Sequence, residues 1–184
     1  MTDLIFVPGF GGSGPSHWQS IWEASFTSTR RIQPTSWDLP DLGDWLTALE
    51  SSVRRSTEPP VLIAHSLGCL LVAFWQRQSS LPIAGAFLVA VPDPSTPGFT
   101  ETTPTFVQVP TVPFRFPSLI VSSTSDPYDA NGYAIIKAHE WGSDFCSIGD
   151  CGHINGQSNL GDWQFGQRLM ASFIAKNGSA KSSL

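Results

Sequence analysis

The segment Ala64-His65-Ser66-Leu67-Gly68 sets one serine between small residues two positions away on each side. The run Val61 to Ala64, behind Pro59 and Pro60, is short, apolar and β-branched, which predicts a buried strand. From Leu67 to Trp75 the chain is apolar without turn residues, which predicts a buried helix. Ser66 falls at the junction, where a sharp strand-to-helix turn would hold its hydroxyl above the end of a sheet as a nucleophile. The competing role is an ordinary helix N-cap, which serine also fills well. A serine hydroxyl is a weak nucleophile alone, so the rest of the chain must supply a base, an acid that orients it, and donors for an oxyanion.

The chain has four histidines, His17, His65, His139 and His153. His153 lies in the glycine-flanked stretch Gly149-Asp150-Cys151-Gly152-His153-Ile154-Asn155-Gly156, after the last expected strand, and is the preferred base. His17 follows a glycine-rich loop and is its competitor. His65 adjoins the serine but should turn away from it and pack, and His139 belongs to a helix. Asp126, in Thr124-Ser125-Asp126-Pro127-Tyr128 after another strand, is the preferred acid. It would hold the imidazole tautomer and stabilise the imidazolium. Asp129 and Asp150 are rivals, and an Asp-Pro pair is also a common turn. The order Ser66, Asp126, His153 is one that serine nucleophiles on such sheets use. Cys151, two residues before His153, is expected to be packed rather than reactive.

The oxyanion donors are expected to be the backbone N–H of Leu67 and that of Phe10 or Gly11. Phe10 and Gly11 sit in Gly9-Phe10-Gly11-Gly12-Ser13-Gly14-Pro15, with four glycines in six residues after the apolar strand Asp3 to Val7. Gly9-x-Gly11-x-x-Gly14 also fits a dinucleotide fingerprint, but Pro15 stands where a helix should open, and no Lys-Ser/Thr pair suggests a phosphate loop.

Further elements must carry these loops. Ser16 should cap a helix through Phe26, with Trp18, Ile21, Trp22 and Phe26 on one face. A strand within Arg30 to Trp37 is interrupted by Pro34. Asp41 opens a helix with Trp45, Leu46, Leu49 and Val53 inward. Ile83 to Val91 and Ser118 to Ser123 read as strands. Tyr128 to His139 reads as a helix with Ile135, Ile136 and His139 inward, Ser143 to Ile148 as a strand, and Asp162 to Ala175 as a helix with Phe165, Leu169, Phe173 and Ile174 inward. Six strands alternating with helices predict an α/β fold with one parallel sheet and helices on both faces. Right-handed crossovers then gather the loops after strands one, three, five and six on one sheet edge. Residues 92–117 hold seven prolines with Phe99, Phe106, Phe114 and Phe116. This segment should line the sheet edge, and its four rings, with His17, should form the substrate pocket.

A chain of 184 residues suggests one domain, residues 1–176, with a polar tail at 177–184. The net charge of -5 and the absence of a basic run argue against nucleic acid or an anionic membrane as partner. No apolar stretch is long enough to span a bilayer. Met1-Thr2-Asp3 leads straight into a strand without a signal-peptide pattern, so a cytoplasmic location is expected. Three cysteines, Cys69, Cys146 and Cys151, form no CxxC pair, so neither a disulfide framework nor a metal site is expected. Monomer and homodimer are both open.

The motifs Val7-Pro8-Gly9-Phe10-Gly11-Gly12-Ser13-Gly14-Pro15-Ser16-His17-Trp18-Gln19, Ala64-His65-Ser66-Leu67-Gly68, Ser125-Asp126-Pro127-Tyr128 and Gly152-His153-Ile154-Asn155 resemble the small α/β-hydrolases of the YdeN and retinoblastoma-binding-protein-nine family. The resemblance covers nearly the whole chain, in order. It implies a minimal α/β-hydrolase fold without a cap domain, a Ser66, Asp126, His153 triad, no cofactor, and esterase or peptidase-like activity on a small ester or acyl substrate. Two features depart from the pattern. Ala64 replaces the glycine usual in hydrolases, and the 92–117 segment is rich in prolines of its own. The Leu-x-Cys-x-Glu motif that binds retinoblastoma protein is absent. A protein-interaction module using the aromatic 92–117 segment is the alternative function, and C–C bond-cleaving or oxygen-dependent chemistry on the same scaffold is a third.

Overall fold

Continuous apolar runs in the central strands bury both faces of the middle of a single sheet, while its last strand is largely exposed. A computed structural model describes residues 3–129 and 131–179. Its strands are β1 (Leu4–Val7), β2 (Thr29–Arg31), β3 (Val61–His65), β4 (Gly85–Val89), β5 (Ser118–Ser122) and β6 (Asp144–Ser147). They form one parallel sheet in the order β2-β1-β3-β4-β5-β6. The helices are α1 (Trp18–Ser25), α2 (Leu42–Arg54), α3 (Leu67–Gln78), the short α4 (Phe99–Thr102), α5 (Tyr133–Trp141) and α6 (Gln164–Ser179). The expected minimal α/β-hydrolase fold is the one observed.

Side chains alternate strictly across the sheet. Ile5, Val7, Leu62, Ala64, Ala86 and Leu88 face a core closed by Trp45 and Leu49 of α2, most of α3, and Trp141 of α5. Leu4, Phe6, Val61, Ile63, Phe87 and Val89 face a second core closed by Trp18 and Trp22 of α1 and by Met170 and Phe173 of α6. The strand order reverses direction between β1 and β3. In an open α/β sheet the loops leaving the strands there diverge to opposite faces and leave a crevice. The loop after β1 and Ser66 after β3 flank that crevice.

Several element boundaries differ from the sequence expectation. His17, not Ser16, caps α1, because its Nδ1 accepts from the Gln19 N–H at 3.1 Å. The second strand is only three residues long and stops before Pro34. α5 starts at Tyr133, after Gly132 turns the chain at a φ of 69°. Its inward face is Ala134, Lys137, Ala138 and Trp141, while Ile135, Ile136 and His139 are exposed. Trp141 anchors that face through an indole N–H donated to Pro110 O at 2.8 Å. Lys137 buries its stem and reaches Glu140 with its ammonium at 2.6 Å. At the start of α6, Trp163 and Gly166 take the inward positions and Phe165 is exposed. Of the expected tail, Asn177 to Ser179 continue α6, and 180–184 lie outside the described residues, as do Met1 and Thr2. Among the described residues no helix is long and apolar enough to cross a membrane.

Gly68 marks where the sheet and α3 pass closest. A Cβ there would lie 2.1 Å from Val7 O and 2.7 Å from Pro8 O, both backbone atoms that cannot rotate away. Gly68→Ala is therefore expected to destabilise the fold by about 4 kcal/mol or more, well above a typical substitution. Urea unfolding of the variant beside wild type measures this.

Candidate active site

Ser66 follows β3 and precedes α3 with φ 53° and ψ -125°. Non-glycine residues rarely occupy such a conformation, and it costs on the order of 1–3 kcal/mol. Its side chain caps no α3 amide, so the N-cap reading fails. The hydroxyl instead meets His153 Nε2 at 2.8 Å. On the other side of the ring, His153 Nδ1 lies 2.8 and 2.9 Å from the two carboxylate oxygens of Asp126. Because a carboxylate only accepts, Nδ1 carries the proton and donates to Asp126. Nε2 then presents a lone pair to the Ser66 O–H. The Asp126 side chain is 1% exposed, and Oδ1 is also held by the Tyr128 N–H at 2.9 Å.

The competing groups are engaged elsewhere. Asp150 is exposed and accepts from Ser125 Oγ. Asp129 accepts from the Ala134 N–H at 3.0 Å, and burial raises its pKa. His139 is exposed on α5. Cys151 is half-buried, with its sulfur 3.8 Å from Ile148 O.

The His153 loop is clamped from several sides. Trp18 donates its indole N–H to Ile154 O at 2.8 Å. Ser123 Oγ accepts from the Cys151 N–H at 2.9 Å, and Ser125 Oγ from the Gly152 N–H at 3.0 Å. His65 Nε2 donates to His153 O at 3.0 Å. The sequence reading gave His65 a packing role. It is buried as expected, yet it also ties the strand end before Ser66 to the His153 loop. Trp18 and Tyr128, whose ring lies 4.6 Å from that of His153, are site residues that the sequence alone does not mark. Their only signals were adjacency: Tyr128 follows Asp126 by two residues, and Trp18 follows His17.

The glycine loop passes directly against the elbow. A Cβ on Gly9 would lie 2.8 Å from Ser66 Cβ and 3.1 Å from Leu67 N. Of the two expected donors in this loop, Gly11 is already committed, since its N–H donates to Trp37 O at 2.9 Å. Gly12 N–H likewise donates to Gly9 O at 3.0 Å. The N–H groups of Phe10 and Leu67 donate to no acceptor among the described residues. The third glycine of the GxGxxG string precedes α1 by four positions, so no helix opens on it as a dinucleotide site requires.

Ser66 and His153 open into a cavity of about 600 Å³, whose walls include Phe10, His17, Phe99 and Tyr128. His17 and Phe99 thus lie where the sequence put them. Phe106, Phe114 and Phe116 do not. Phe106 is fully buried, edge-on to Trp45 and Phe74, and Phe114 stacks on Phe116 and packs on Trp141. The reason is topological. After Thr103 the chain must return to the opposite sheet edge to begin parallel β5, and these rings fill the core along that path.

Two imidazoles beside His153 are held neutral. His17 lies 4.7 Å from His65, and His65 lies 5.0 Å from His153, ring centre to ring centre. Burial, with the nearby Arg31 and His153, lowers the His17 pKa to about 4. Burial above all, then His153 and His17, lowers that of His65 well below its usual value. The unfolded chain protonates His17 near 6.5 and the folded chain only near 4, so stability falls as pH drops through that window. The loss attributable to His17 is about 3 kcal/mol between pH 7 and 4. His17→Asn keeps an acceptor for the Gln19 N–H but cannot titrate, and should lose that much less. Urea titrations at the two pH values compare them.

A model of the serine hydrolase family matches residues 4–172. The chain belongs to the serine hydrolase family. A solved structure described as a YdeN-like hydrolase from Pectobacterium atrosepticum is 32% identical, with 96% of this chain and 92% of that chain covered and a TM-score of 0.86. The ydeN gene product of B. subtilis shares the fold at 17% identity, covering 95% and 100% of the two chains with a TM-score of 0.77. A thermophilic esterase from Thermogutta terrifontis does so at 14% identity, covering 96% and 90% with a TM-score of 0.72. No curated protein matches the sequence. As a member of this family the chain is an enzyme of the hydrolase class, and its resemblance to YdeN-like hydrolases holds.

Proposed function

We propose that this serine hydrolase cleaves small carboxylic esters through an acyl-enzyme on Ser66. The observation that carries the reading is the unbroken Asp126–His153–Ser66 hydrogen-bond chain at a cavity wall beside two unused amides. His153 Nε2 takes the Ser66 proton as Oγ attacks the ester carbonyl, and Asp126 stabilises the imidazolium that forms. The Leu67 and Phe10 N–H groups donate to the developing oxyanion, each contributing on the order of 3 kcal/mol to the transition state. His153 then protonates the departing alkoxide. A water then attacks the acyl carbon as His153 takes its proton, and His153 returns that proton to Ser66 Oγ as the Oγ–acyl bond breaks and the acid leaves. The strained Ser66 backbone fits this role, because it fixes the hydroxyl against the imidazole before substrate arrives.

Incubation with a fluorophosphonate tests the reading. Phosphonylation of one site per chain should abolish 4-nitrophenyl butyrate turnover in step with labelling. Full turnover in fully labelled protein, or no labelling, would contradict it.

A further inference from the structure

The cavity beside Ser66 and His153 is built without formal charge. Among the described residues, the twenty that line it include no Asp, Glu, Lys or Arg. Its neutral hydroxyls and amides are those of Ser16, Ser66, Thr96, Thr102, Thr103, Tyr128, Asn155 and Gln157. Of its histidines, His17 and His65 are held unprotonated by burial. Full charges on neighbouring positions stand outside the lining; Asp93, buried next to Pro92, accepts from the Ser95 N–H at 2.8 Å. Asp126 lies behind the His153 ring, with both oxygens engaged. Arg31 pairs with Glu23 at 2.6 Å and donates to Ser13 O and Ser20 Oγ. Asp38 and Glu101, on segments that border the rim, are exposed and stand outside the lining.

Resting on the ester-hydrolase reading, we infer that this cavity selects uncharged substrates and discriminates against both anionic and cationic esters. An ionised carboxylate or ammonium entering it would shed water and find no countercharge. A carboxylate would also stand close to the oxyanion that forms at the reacting carbon. A neutral oxygen-bearing chain loses little by comparison, because hydroxyl and amide groups replace its water hydrogen bonds.

Butyryl thioesters that differ only in leaving group test this with one acyl chain and one thiol-release assay. Butyrylthiocholine pairs with its carbon isostere, the 3,3-dimethylbutyl thioester. The 3-mercaptopropionate thioester pairs with its primary amide. Each charged member should show kcat/KM at least tenfold below its neutral partner, mainly through KM. Thr102→Lys places a cation on the wall and should raise the anion-to-amide ratio at least fivefold. Parity within either pair overturns the inference, as does a loss confined to one sign, which would reflect the net charge of the chain rather than the cavity. An unchanged ratio in Thr102→Lys also overturns it. If fluorophosphonate labels the chain while the pairs are at parity, the hydrolase reading stands and only the neutral-substrate inference falls. If labelling fails, both fall together.

Discussion

Ser66→Ala is expected to lower kcat for 4-nitrophenyl butyrate by about a million-fold, the scale seen when a serine nucleophile is removed from a hydrogen-bonded triad. The size follows from the geometry. Without Oγ, His153 Nε2 has no hydroxyl to deprotonate, although the amides of Leu67 and Phe10 still face the carbonyl. A small residual rate over water should survive from those amides. The fold should survive as well, since the Ser66 hydroxyl caps no helix amide and its backbone N–H to Val89 O bond is untouched. Steady-state kinetics with circular dichroism on the same samples measure both. A loss of tenfold or less would remove Ser66 from the reaction.

Asp126→Asn carries the second largest expected effect, about ten-thousand-fold in kcat. The carboxylate accepts from His153 Nδ1 through both oxygens. An amide turned to donate there would force the proton onto Nε2, and the base would meet Ser66 with an N–H instead of a lone pair. KM should change far less than kcat, because Asp126 is screened from the cavity by the imidazole. Asp150→Asn should cost much less, since that carboxylate is exposed and serves Ser125. The reverse outcome, with Asp150→Asn the more damaging, would reassign the acid.

The parts of this architecture that the sequence exposes are those fixed by local chemistry. Val61 to Gly68 changes from a strand pattern to a helix pattern across one serine, and the structure bends there at Ser66. The parallel sheet follows from strands and helices in alternation, and from it the meeting of loops that are far apart in sequence. Features set by tertiary packing were not legible. Ile135 and Ile136 look like core residues, yet Trp141 decides which face of α5 turns inward. Phe106, Phe114 and Phe116 look like a pocket wall, yet the chain must carry them back along the core to start β5. Gly11 and Phe10 are equivalent as amide donors in sequence. Only the position of Trp37 O, from a strand-to-helix connection more than twenty residues away, commits one of them. The sequence places His65 beside Ser66, but its bond to the carbonyl of His153 joins residues 88 positions apart.

The central claim is a covalent acyl-enzyme on Ser66, and trapping it is the most direct test. An ester whose acyl group deacylates slowly would be mixed with the enzyme, quenched in acid during turnover, and the digest read by mass spectrometry. The account predicts one acyl group on the peptide that contains Ser66, formed before steady state and lost as substrate is exhausted. Sustained turnover with no adduct at any time, or with the acyl group on Cys151 or another residue, would contradict it.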